Sequence, residues 1–172
     1  MASVHATCIA IDGHGVLLRG PSGCGKSDLA LRLIDRGARL VADDRVVLTV
    51  EDGAVVAAAP PPLAGLLEVR GLGPLPVPTL AAAPVALVCD LVPAAAVERL
   101  PAPQATADYG PPLPLIRLSP FHASAPSALR LAVSALAGSG SGDAAGAMEK
   151  SPDAAALGWF ATPGGLARGT GR

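Results

Sequence analysis

The stretch GPSGCGKSDLALRLIDRGARLVADD, Gly20 to Asp44, decides the fold. Its first eight residues, Gly20-Pro21-Ser22-Gly23-Cys24-Gly25-Lys26-Ser27, satisfy the pattern G-x-x-x-x-G-K-[ST] at every position. The glycines let the backbone curl so that its N–H groups converge on phosphate oxygens, and the N-terminus of the following helix adds positive potential. Lys26 is placed to reach the β- and γ-phosphates, and Ser27 to offer a hydroxyl to Mg²⁺. A glycine-rich turn that merely starts a helix does not explain a lysine and a serine in those two places. The loop reads as a nucleotide-binding element.

Working outward, Leu29, Ala30, Leu33 and Ile34 follow helical spacing from Lys26 to a stop at Gly37. Upstream, Ala6 to Asp12 and Val16 to Arg19 are strand-like runs around the turn Asp12-Gly13-His14-Gly15, in which His14 reads as structural. Downstream, Arg39 to Ala42 is a strand ending at Asp43-Asp44, and Val46 to Val50 and Ala54 to Ala58 flank Glu51-Asp52-Gly53 as a second hairpin. Pro60-Pro61-Pro62 and the Pro-rich Gly73 to Pro78 bracket LLEVRGLG. A buried strand, Val85 to Val92, a short helical stretch from Ala94 to Leu100, a loop from Pro101 to Pro114, a strand from Leu115 to Leu118 and a helix from Ser127 to Ala137 complete the pattern. The expected organisation is an α/β domain over 1–137 with a central mixed β-sheet, followed over 138–172 by a flexible tail rich in Gly, Ala and Ser.

A chain of 172 residues has the size of one domain. With 13 Lys+Arg against 14 Asp+Glu it has no basic field for nucleic acid or an anionic membrane. No run approaches the roughly 20 apolar residues of a spanning helix. The opening MASVHATCIAIDGHG lacks the layout of a signal peptide, so cytoplasm is the expected compartment. Cys8, Cys24 and Cys89 are odd in number and lack CxxC spacing, which argues against a disulfide framework and a zinc site. They read as small buried apolar residues.

Asp43 and Asp44 follow the loop by one helix. If their strand runs parallel to the one feeding the loop, both carboxylates reach the sheet edge that holds the phosphates. One could then hold Mg²⁺ and the other accept a proton from a hydroxyl nucleophile. Val85-Ala86-Leu87-Val88-Cys89-Asp90 offers a rival, since an apolar strand ending in Asp is a common Mg²⁺-holding arrangement beside such loops. Motif logic leaves Asp44 and Asp90 both open.

The segment VHATCIAIDGHGVLLRGPSGCGKSDLALRLIDRGARLVADD, followed by LLEVRGLG, resembles the catalytic domain of HPr kinase/phosphorylase over roughly His5 to Leu118. That resemblance implies a PEP-carboxykinase-like P-loop kinase domain. It implies an enzyme that uses ATP and Mg²⁺ to phosphorylate a regulatory serine of HPr, a phosphocarrier of the phosphotransferase system, and reverses the reaction with phosphate to give pyrophosphate. Carried over by position, the catalytic residues are His5, Lys26, Asp44 and Arg99, with Asp44 as the base; the loop from Gly20 to Ser27 binds the nucleotide; and Ser27, Asp43 and Glu68 are the magnesium contacts. Arg117, within Leu115 to Pro120, occupies the place of a stretch linked to dephosphorylation. The family's N-terminal domain has no counterpart here, so the chain resembles the short form of some proteobacteria, and the family's hexamer is the implied assembly. Two other readings stand beside it: a small-molecule P-loop kinase or NTPase with Asp90 on Mg²⁺, and a nucleotide-sensing module without catalysis.

Overall fold

The computed structural model describes residues 1–138. In chain order the strands are β1 (Ala2–Val4), β2 (Thr7–Ile11), β3 (His14–Arg19), β4 (Arg39–Ala42), β5 (Val46–Glu51), β6 (Ala54–Ala58), β7 (Leu66–Val69), β8 (Gly73–Pro76), β9 (Ala82–Leu91), β10 (Gln104–Thr106) and β11 (Leu113–Leu118). The helices are α1 (Lys26–Ile34) and α2 (Ala125–Gly138). The expected tail, except for Gly138 at the end of α2, lies outside the described residues.

β2 and β3 form the expected hairpin, closed between Ile11 and His14. Asp12 and Gly13 both take the left-handed conformation, at φ 50 and φ 84, which matches the right-handed twist of the flanking strands. β4 pairs antiparallel with the other edge of β2. Two antiparallel steps make β4 run parallel to β3, one strand removed. β9 lies on the far side of β3 and parallel to it, and β11 is parallel to β9. Four parallel strands, β4, β3, β9 and β11, therefore deliver their C-terminal ends to one sheet edge, where ligands of open α/β sheets collect.

β9 ties the sheet together. Its first residues pair with β6, which continues through β5 to β1, while its later residues pair with β3 and β11. The sheet curls as a result and holds a core on each face. Ile9, Ile11, Val16 and Leu18 point to the face where α1 and α2 bring Leu29, Leu33, Leu129 and Val133. Cys8, Ala10 and Leu17, one residue out of phase, meet Val41, Val46, Leu48 and Val88 on the other face. This is a mixed α/β architecture built on one curled sheet, with the phosphate loop at a strand-to-helix junction.

Two expectations need correction, and one segment takes a form that its prolines obscured. Ala94 to Leu100 is a single 3-10 turn, Ala94–Ala96, because Val97 turns extended (φ -84, ψ 114) and none of the turn's three residues is buried. The loop from Pro101 to Pro114 contains β10, and β11 starts at Leu113, inside it. LLEVRGLG with its proline flank folds into the β7–β8 hairpin, a separate two-stranded sheet that admits Pro74 and Pro76 on an edge strand.

Candidate active site

Gly25 caps α1 in the left-handed conformation (φ 100), so that the chain turns sharply from loop to helix. A methyl group on this residue would stand 2.9 Å from Phe121 Cζ and 3.1 Å from Pro120 Cβ. Glycine is thus required both for the turn and for the close approach of the β11–α2 connection. Lys26 is buried, and its ammonium donates to the loop carbonyls of Gly20 (2.9 Å) and Pro21 (3.1 Å).

The third contact of Lys26 is the imidazole of His5, Nζ to Nε2 at 3.2 Å. An ammonium only donates, so Nε2 accepts and the ring proton sits on Nδ1. Nδ1 donates to Asp44, 3.0 Å from its carbonyl and 3.2 Å from Oδ1. His5 thereby links the loop lysine to the second aspartate. Asp44 itself adopts φ 63, the left-handed region that a short polar side chain tolerates, and its carboxylate is 72% exposed.

Asp43 has the opposite setting. It is buried, and accepts from Thr7 Oγ1 at 2.6 Å, Ser27 Oγ at 3.2 Å to each carboxylate oxygen, and the amide of Glu68 at 3.2 Å. The two adjacent aspartates are divided between a clamped buried position and an open one. His5, Lys26, Ser27, Asp43, Asp44 and Glu68 line one cavity of about 430 Å³ together with Ser22, Gly23 and Gly25 of the loop. The side-by-side hydroxyl of Ser27 and carboxylate of Asp43 suit Mg²⁺, which takes one or two protein oxygens and fills its shell with phosphate and water. The described residues include no cluster of three or more His, Cys, Asp or Glu suited to a metal.

Arg99 is exposed, follows the 3-10 turn, and is absent from the cavity lining. Arg117, on β11, is also exposed and outside it. Asp90 is occupied elsewhere: Arg19 at the end of β3 grips it with Nε at 2.7 Å and Nη2 at 3.1 Å. The same guanidinium reaches Asp108 at 2.8 Å and Tyr109 Oη at 3.2 Å. These bonds, that to Asp90 above all, raise the Arg19 pKa against the cost of burial. The Asp108 carboxyl is held below its ordinary value by Thr106 and Arg19. Burial pushes the Cys8 and Cys89 thiols up to about 12, while Cys24, in the loop, is half-buried. Sequence reasoning missed Thr7, Arg19, Arg32 and Phe121. Thr7 opens the apolar strand β2 and Arg19 closes the apolar strand β3, both at the loop-bearing edge, which is the signal that could have found them.

Residues 1–83 match the family described as HPr Serine kinase C-terminal domain. The likeness is to the HPr kinase/phosphorylases. The HPr kinase/phosphorylase of Lacticaseibacillus casei (strain BL23) is 54% identical over 72 residues, which cover 41% of this chain and 23% of that protein. That of Clostridium tetani is 47% identical over 77 residues, 45% of this chain and 25% of the relative. The matched stretch thus spans about a quarter of the length of these HPr kinases. By structure, the HPr(Ser) kinase/phosphatase of Coxiella burnetii superposes with a TM-score of 0.69 at 28% identity, covering 78% of this chain and 89% of that one. Among the described residues no helix is long and apolar enough to cross a membrane.

Proposed function

We propose that this chain is an ATP- and Mg²⁺-dependent protein-serine kinase that phosphorylates the regulatory serine of HPr or an HPr-like phosphocarrier in the cytoplasm, and that catalyses the phosphorolytic reverse reaction giving pyrophosphate. The observation that carries this reading is the division of labour between Asp43 and Asp44 around one phosphate loop. Asp43, clamped next to Ser27, is suited to Mg²⁺, which when bound supplies charge neutralisation at the transferring phosphoryl group. Asp44, exposed and hydrogen-bonded by His5, is suited to a hydroxyl that comes from outside.

In the forward direction the serine Oγ attacks the γ-phosphorus while its bond to the β,γ-bridging oxygen breaks, and Asp44 takes the serine proton. Phosphoserine and ADP result. In reverse, a phosphate oxygen attacks the phosphoserine phosphorus as its bond to Oγ breaks, protonated Asp44 gives its proton to the departing Oγ, and serine and pyrophosphate result. Lys26 and the loop amides hold the phosphates in line, which is most of what phosphoryl transfer requires of a protein. His5 orients Asp44 and keeps Lys26 beside it. Arg99 has no part in this scheme.

The small-molecule kinase reading needs Asp90 on the metal, yet Asp90 is paired with Arg19 and lies outside the cavity lining. The catalytically silent sensor leaves the arrangement of His5 and Asp44 without a purpose. The test is transfer of labelled γ-phosphate from ATP to purified HPr. Asp44→Asn lowers the rate by about 10² to 10⁴, the usual contribution of a general base, with ATP affinity unchanged. Undiminished transfer in that variant refutes the assignment.

A further inference from the structure

The carboxylates account for one part of the cavity. Three apolar side chains also line it, and Val69 sits beside Glu68. The other two, Leu31 and Phe121, belong with the loop and its helix and have no part in the chemistry above. Leu31 lies four residues past Ser27 on α1 and is 37% exposed, while Phe121 is 68% exposed.

An exposed ring is ordinary when its backbone is loose, and here the backbone is held. Arg32 donates from Nη2 to the carbonyl of Pro120, and its Nη1 stands 3.5 Å from that of His122. The carbonyls on both sides of Phe121 are thus tied to α1. Asp28 fixes Arg32 in turn, 2.9 Å from Nη2 and 3.1 Å from Nε. His122 and Ser124 close the following turn at 2.8 Å. The ring edge itself rests against Gly25, close enough to exclude any larger residue there. Among the described residues, Phe121 is thus a ring fixed at the phosphate loop with most of its surface open to solvent.

We infer that Phe121 is the stacking platform for the purine base of the nucleotide, with Leu31 completing the apolar surface, and that Arg32 is the residue that positions the ring. This rests on the nucleotide-binding reading of the loop proposed above. The phosphates occupy the loop amides and the transferring end faces Asp43 and Asp44; the rest of the lining is Asp28, Leu31 and Phe121 on one side and Val69 and Arg70 beside Glu68, and of these Phe121 alone offers the nucleoside a ring. A cavity of about 430 Å³ is of the size that holds such a ligand. Aromatic stacking accepts any flat base, since each presents a π-face. The site is therefore expected to bind GTP nearly as well as ATP.

The experiment compares calorimetric binding of Mg·ATP, Mg·GTP and Mg·tripolyphosphate to the full chain and to Phe121→Ala and Phe121→Trp. The expected result is that Phe121→Ala weakens both nucleotides roughly tenfold, the loss of one base–aromatic stack. Tripolyphosphate, which has no base, is bound as before, and Phe121→Trp retains or improves nucleotide affinity. Arg32→Gln reproduces a smaller, nucleotide-only loss. Equal ATP affinity in wild type and Phe121→Ala overturns the inference while leaving the phosphate loop intact. Parallel loss of all three ligands also overturns it, because the ring then only props Gly25. Failure of the wild type to bind tripolyphosphate and ATP alike refutes the nucleotide reading itself and this inference with it.

Discussion

Asp43 and Asp44 are chemically identical neighbours that the left-handed backbone of Asp44 sends into different settings. The clamp on Asp43 carries a prediction about Thr7, whose hydroxyl makes the shortest of its contacts, 2.6 Å, from a fully buried position. Thr7→Val keeps the side-chain shape and removes that donor. Asp43 still accepts from Ser27 and Glu68, so the cost is that of one hydrogen bond to a charged group, about 1.5–3 kcal/mol. The variant is expected to fold, to melt several degrees lower, and to need more Mg²⁺ for half-maximal transfer because its carboxylate is less restrained. Thermal melts and a Mg²⁺ titration check this, and an unchanged metal requirement removes Thr7 from the site. The cysteines give a second test at the same scale. With pKa values pushed up to about 12 by burial, Cys8 and Cys89 hold almost no thiolate at pH 8, whereas half-buried Cys24 is within reach of reagent. One of the three thiols should react with a disulfide reagent in the native state, and ATP should protect it. Fast reaction of two or three thiols contradicts this picture.

The elements show which parts of the site were legible in advance. α1 and its loop could be read because a phosphate cradle demands particular residues at fixed places, and because Leu29, Ala30 and Leu33 sit on the buried face. The hairpin turns at Asp12-Gly13 and Asp52-Gly53 were equally plain, since left-handed backbone at both positions needs that chemistry. β7 and β8 were not, as prolines that normally interrupt strands are tolerated on an isolated edge pair. The pairing of Arg19 with Asp90 was hidden for a different reason. It depends on the register of β3 against β9, set by contacts between residues 71 apart in sequence. Asp90 consequently resembled a metal ligand from sequence and proves to be the partner of Arg19, the residue immediately before the loop. Asp90→Asn should therefore act through stability and loop position: a loss of about 1–3 kcal/mol, a fall in transfer, and an unchanged Mg²⁺ midpoint. A tenfold rise in that midpoint would return Asp90 to the metal and revive the small-molecule kinase.

At the scale of the molecule, four parallel strand ends and the start of β2 gather His5, Thr7, the loop and both aspartates at one edge, and this convergence follows from topology that no local pattern encodes. The sheet that produces it has a core on each face, and the same strands serve both, with Leu18 on one side and Leu17 on the other. A single cooperative unit follows, because β2, β3 and β9 cannot lose one core and keep the other. Leu33→Ala, under the helices, and Leu48→Ala, under the curl formed by β5 and β6, each remove a buried side chain. Each is expected to cost about 2–5 kcal/mol. The prediction is that both variants unfold in one transition, with circular dichroism and native-state hydrogen exchange in β3 and β5 reporting the same free energy. Were Leu48→Ala to release exchange in β5 and β6 while β3 and α1 stayed protected, the curl would be a separately folding appendage. The phosphate loop would then rest on the helical core alone.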